Sequence, residues 1–143
     1  MKIMIGVLLI LHGMIVAAQS GGSFKPPSEG IPNPGWVTWW PTNLGQSCLL
    51  SGLGLQRMPF TTLVLLINLA GGIALLGAGL GMLGVLVPTG WVVPLAVSGA
   101  AFSLIMLAIY LHPLYVLGIG ANVGILVALL WTNWPSRVLG LLP

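Results

Sequence analysis

The sequence predicts an all-α integral membrane protein, a four-transmembrane-helix bundle with a long Pro/Gly/Trp-rich interfacial loop between helices 1 and 2. Three observations predict it. Of 143 residues, 57% are hydrophobic and only 3% are charged, whereas soluble chains carry roughly 25% charged residues. Four uncharged apolar runs approach the length of about 20 residues that a helix needs to cross a hydrocarbon core about 30 Å thick. The tryptophans lie outside the interiors of those runs, three in the long loop and three at or just beyond the ends of the third and fourth runs, as suits a ring that prefers the water–lipid boundary.

The runs divide residues 1–143, a single membrane domain, into spans at about 3–18, 60–87, 91–111 and 114–131 and a loop at 19–59. The first span follows Lys2 and precedes Gln19-Ser20-Gly21-Gly22. Its apolar run and Ala17-Ala18-Gln19-Ser20 also fit a secretory signal peptide, whose removal would leave three spans. We read it as a retained helix. The second span follows Arg57-Met58-Pro59 and is stopped by Pro88-Thr89-Gly90, and only His112-Pro113 separates the third from the fourth. Pro94 falls in the first turn of the third span, where its missing N–H costs little. Within the loop, 44–55 is too short to cross and reads as an interfacial or partly re-entrant piece.

If the spans alternate, Trp36, Trp39 and Trp40 lie on the loop side, and Trp91, Trp131 and Trp134 on the opposite face. Lys2 and Arg137 share one face and Lys25 and Arg57 the other, so positive charge does not orient the bundle. The signal-like first helix favours a bacterial inner (cytoplasmic) membrane with termini inside and loop outside.

Composition excludes most chemistry. A net charge of +3 from four basic residues and one acid makes no basic face for nucleic acid. Glu29 is the only carboxylate side chain, so acid/base catalysis and a Ser-His-Asp arrangement lack a partner. Cys48 stands alone, which rules out an internal disulfide, a redox pair or a Cys-rich metal site. His12 and His112 differ by about 9 Å in depth at 1.5 Å per helical residue, too much for two axial ligands of one haem. His112, before Pro113, is expected to cap the end of the third helix by meeting its free carbonyls. No catalytic residue and no metal site are predicted.

Two patterns remain. Ala70, Ala74, Gly77, Gly81 and Gly84 form a small-residue stripe on the second span, and Asn68, Gly71, Gly72 and Gly79 lie on nearly the opposite one. Small residues admit close backbones, so this helix is expected to be gripped on two sides, by its own bundle or by a partner subunit. His12, Asn68, Ser103 and Asn122 all fall about 9–13 Å from the loop-side end of their spans. They are expected to form one polar layer, with Tyr110 and Tyr115 at its loop-side rim. Such a layer serves either as interhelical hydrogen bonding alone or as a pocket for the polar end of a quinone or lipid.

Leu8-Leu9-Ile10-Leu11-His12-Gly13, the loop from Trp39-Trp40-Pro41 to Leu49-Leu50, the Gly-rich second span and the His112-Pro113 turn together resemble small four-span bacterial membrane proteins of the DoxX-like type. The resemblance covers most of the chain in architecture. It implies a link to quinone-coupled oxidation as a subunit of a larger oxidoreductase, and transfers no catalytic residue. The leading expectation is a non-enzymatic accessory or scaffold subunit of a respiratory or photosynthetic membrane complex, in contact with the bilayer and with other membrane subunits or copies of itself. The alternative is a quinone- or lipid-binding subunit of a DoxX-like membrane oxidoreductase. A small-molecule permease comes third, since neither an inverted repeat nor a broken helix pair is evident.

Overall fold

The computed structural model describes residues 1–21, 31–55 and 58–132. They form α1 (Lys2–Gly21), α2 (Cys48–Gly52), α3 (Met58–Met82), α4 (Val92–Ile109) and α5 (Val116–Leu126), the last continuing as a π-helical stretch over Val127–Thr132. Four stretches, Lys2–Ser20, Pro59–Met82, Thr89–Ile109 and Pro113–Trp131, are long and apolar enough to cross a bilayer. Among the described residues there is no strand, only one isolated bridge between Ile31 and Leu44.

Glycine sets the order of packing, in which α1 lies along α3, α3 along α4, and α4 along α5. Gly6 and Gly13 on α1 and Gly72 and Gly79 on α3 are each seven residues apart. A seven-residue repeat stays on one seam when two helices coil gently in the left-handed sense. The helices run antiparallel, Gly13 meeting Gly72 and Gly6 meeting Gly79. A Cβ built on Gly79 would lie 2.6 Å from Ile10 Cγ1 and 2.7 Å from the Gly6 carbonyl oxygen. On its other side α3 meets α4 through Gly71 and Gly99, where a Cβ on Gly99 would stand 2.8 Å from the Gly71 carbonyl oxygen.

The helix is thus gripped on two sides, through Gly71, Gly72 and Gly79 of the second expected stripe and, against α4, buried Gly81 of the first, while the rest of the first stripe lies outside the seam. Ala70 is exposed and Ala74 half-buried. A Cβ on Gly77 would meet only Leu95 Cδ1, at 3.3 Å, while one on Gly81 would lie against Val92 and Val87. The stripe was drawn from one helix, whereas the seam is decided by where α1 offers glycines of its own.

Helix α3 ends at Met82, five residues before the expected boundary at 87. Gly84 donates to the Gly81 carbonyl and Val85 to the Leu80 carbonyl, at 3.1 and 2.9 Å, with Gly84 left-handed at φ +74°. This double closure satisfies carbonyls that the terminated helix leaves free, and glycine adopts its backbone angle without a Cβ clash. Gly84 is therefore a cap and not a packing residue.

The interfacial piece at 44–55 contains α2, closed at both ends. Ser47 Oγ accepts from the Leu50 N–H at 3.1 Å, and Gly54, at φ +66°, ends the helix as Gly84 ends α3. The Ser47 hydroxyl also donates to the Ile109 carbonyl, which ties α2 to the end of α4. Leu50 packs there with Val64, Met106, Leu107 and Tyr110. A second apolar cluster, including Leu9, Leu75, Ala78, Met82 and Ala96, fills the opposite half of the bundle.

Candidate functional site

The polar side chains separate into two groups. His12 Nε2 lies 3.0 Å from Asn122 Oδ1, and Asn122 Nδ2 donates to Ser103 Oγ at 2.9 Å, joining α1, α5 and α4. Asn68 lies elsewhere, its Nδ2 donating to the Val16 carbonyl at 2.8 Å and to Ser20 Oγ at 3.0 Å. Equal depth was a poor guide because the Gly13–Gly72 contact fixes the register of α1 against α3. Asn68, one turn before Gly72, then faces Val16 and Ser20 rather than His12. Ser20 was missed although it continues the Gly6, Gly13 spacing by seven.

Asn122 and Ser103 are fully buried, whereas His12 is half-buried and borders open space. A cleft of about 380 Å³ is lined by His12, Gln19, Ser103, Tyr115 and Asn122, with Leu107 and Gly118 among its apolar walls. An apolar groove of about 560 Å³ adjoins it, walled by Leu8, Leu11 and Ile125. His12, Ile15 and Ala121 border both spaces, so the imidazole stands at the junction of a polar-ended cleft and an apolar groove along α1 and α5. Tyr115 lines the cleft as expected. Tyr110 does not: it is buried beside Leu50 and Met106 on the loop side.

Among the described residues no carboxylate lines either space. With the Asn122 amide nitrogen committed to Ser103, its oxygen accepts from His12, which places the proton of a neutral imidazole on Nε2 and leaves Nδ1 as a lone-pair acceptor. The arrangement suits hydrogen bonding and orientation of a ligand.

A second polar cluster ties the loop to the α4–α5 turn. Buried His112 accepts the Leu114 N–H through Nδ1 at 3.2 Å, while its Nε2 lies 3.0 Å from Asn33 Oδ1. Asn33 Nδ2 reaches the carbonyls of Thr42, Trp40 and Val37, most closely Thr42 at 2.9 Å. Trp40 and Tyr115 stand edge-on to the imidazole, with ring centroids 6.2 and 5.9 Å away. His112 thus caps the start of the next helix as an acceptor, not the end of α4 as a donor. The Pro113 ring fixes the backbone ahead of the turn, and the first free N–H beyond it belongs to Leu114.

Burial holds the His112 imidazole below its ordinary pKa of 6.5. The unfolded imidazole therefore takes up a proton before the folded one as pH falls. Stability from this group is complete above about pH 6.5 and declines below it. Amide exchange over residues 31–42, corrected for its intrinsic rate, should be faster at pH 5 than at pH 8. His112→Asn, which can still accept from Leu114 N–H but does not titrate, should remove that dependence; an unchanged profile in the variant would exclude His112 as its source.

Comparison of the chain with protein-family models, curated proteins and solved structures gives no match.

Proposed function

We propose that this chain is a small non-enzymatic membrane protein that holds a lipophilic molecule by one polar end, acting as an accessory subunit of a respiratory or photosynthetic membrane assembly. The observation that carries the reading is His12: a half-buried imidazole, bonded on one edge to buried Asn122, at the mouth of an apolar groove. A polar group at that depth is costly unless it is satisfied. A quinone or lipid fits, its head at His12 and its tail along Leu8 and Ile125.

Membrane insertion is supported by large apolar side chains exposed on all four long helices, including Leu8, Leu66, Ile73, Ile105 and Leu117. The Pro113–Trp131 stretch is the least enclosed of the four and offers a face to a partner subunit. We assign the membrane to a bacterial inner membrane with the loop outside; kinship with DoxX-like proteins belongs to the same proposal and rests on sequence motifs alone. Exposed Cys48 tests the orientation, since an impermeant maleimide added to intact cells should label it. Labelling only after lysis would reverse the topology.

Gentle extraction from the native membrane, followed by identification of co-purifying small molecules and subunits, tests the binding reading. An amphiphile should accompany the parent protein and be lost from a folded His12→Leu variant. Equal retention in both would remove His12 from the site, and a parent that carries no amphiphile and binds none when supplied would refute the reading.

A further inference from the structure

Resting on that reading, we propose that the α1–α5 cleft selects an amphiphile whose head donates a hydrogen bond, such as a phenol, hydroquinone or lipid alcohol, over a counterpart whose head can only accept. The selection follows from the hydrogen-bond chain. Ser103 Oγ takes the Asn122 amide N–H, which turns Asn122 Oδ1 toward His12. The Nε2 proton is thereby committed, and the imidazole's remaining polar atom, Nδ1, is an acceptor. Asn122 and Ser103 are fully buried, so neither water nor ligand readily competes for their bonds.

Among the quinone and lipid heads that the reading admits, one carrying a hydroxyl, as a hydroquinone or lipid alcohol does, satisfies Nδ1, whereas an ether or the ketone oxygen of an oxidised quinone would face it lone pair to lone pair and bind more weakly. Ser103 is a positioning residue here: it need not touch the ligand, but by accepting the Asn122 amide N–H it leaves Asn122 Oδ1 to meet His12. The neighbouring groove supplies apolar walls for one chain, and the cleft beyond His12 leads past Tyr115, so the head group sits between the two spaces.

The test compares 4-dodecylphenol with 4-dodecylanisole, which share ring and tail and differ in that the phenol's donated proton is replaced by a methyl group; Ser103→Ala, which leaves the space at His12 unchanged, separates loss of the donor from the size of the methyl. Binding to the full-length protein in detergent is measured by equilibrium dialysis, with His12→Leu correcting for partition into micelles. The parent should favour the phenol about tenfold, the scale of one net hydrogen bond or somewhat more. Ser103→Ala frees the Asn122 amide to turn over, so the preference should shrink several-fold while both probes still bind. A parent that binds both probes equally, or the anisole more tightly, would overturn the donor preference and leave the binding reading intact. Failure of both probes to bind the parent above the His12→Leu level would instead overturn the binding reading, and the preference with it. An unchanged preference in Ser103→Ala would overturn the role given to Ser103.

Discussion

Gly72→Leu and Gly79→Leu are each expected to abolish the folded bundle, while Ala70→Leu leaves it as stable as the parent. A Cβ at Gly72 would already stand 2.7 Å from the Ala17 backbone nitrogen and 2.9 Å from the Gly13 carbonyl oxygen. These are backbone atoms, so no rotamer change relieves the clash and α1 must move away from α3. Overpacking a well-filled core costs about 1–3 kcal/mol even where side chains can yield. Separation of the principal helix pair should cost more, seen as loss of a cooperative thermal transition in mild detergent. Ala70 is exposed, so a larger side chain there finds room. Normal unfolding of both glycine variants would show that the seven-residue seam does not hold the bundle.

Asn122→Leu should give the second-largest loss, with the added signature that α5 loosens before the rest. Asn122 ties α5 to both α1 and α4, and its removal leaves His12 Nε2 and buried Ser103 Oγ without their partner. Orphaning buried polar groups costs about 1–3 kcal/mol. Hydrogen exchange should rise over 116–126 more than over α3. The comparison variant Asn68→Leu should leave α5 unaffected, because the hydrogen bonds of Asn68 among the described residues go to Val16 and Ser20 on α1. Equal exchange at α5 in the parent and Asn122→Leu would mean that the three-residue chain is not what fastens that helix.

Much of this architecture could be read from hydrophobic length alone. Burial in lipid demands long uninterrupted apolar runs, and proline and glycine mark their ends, so the four long helices fall close to the predicted spans. The exception, the end of α3, depended on recognising Gly84 as a left-handed cap inside an apolar run. Polarity and depth picked out His12, Ser103 and Asn122, but depth says nothing of rotation or register, and it wrongly added Asn68 and the rim position of Tyr110. Register comes from paired glycines on two helices, a relation between distant parts of the chain that one helix cannot display. The Asn33–His112 tie was illegible for the same reason: its partners are 79 residues apart and meet only because the loop folds back onto the α4–α5 turn. Trp134, Lys25, Arg57 and Arg137, used in the topology argument, lie outside the described residues.

On the proposed reading an amphiphile occupies the groove between α1 and α5 with its head at His12. Photo-crosslinking tests it most directly, using a long-chain phenol with a diazirine in its tail and mapping adducts on the full-length protein by mass spectrometry. The account predicts adducts concentrated at Leu8, Ile15, Ala121 and Ile125, suppressed by excess unmodified phenol and by His12→Leu. Adducts spread without competition over outward residues such as Leu66, Ile73 and Ile105 would contradict it.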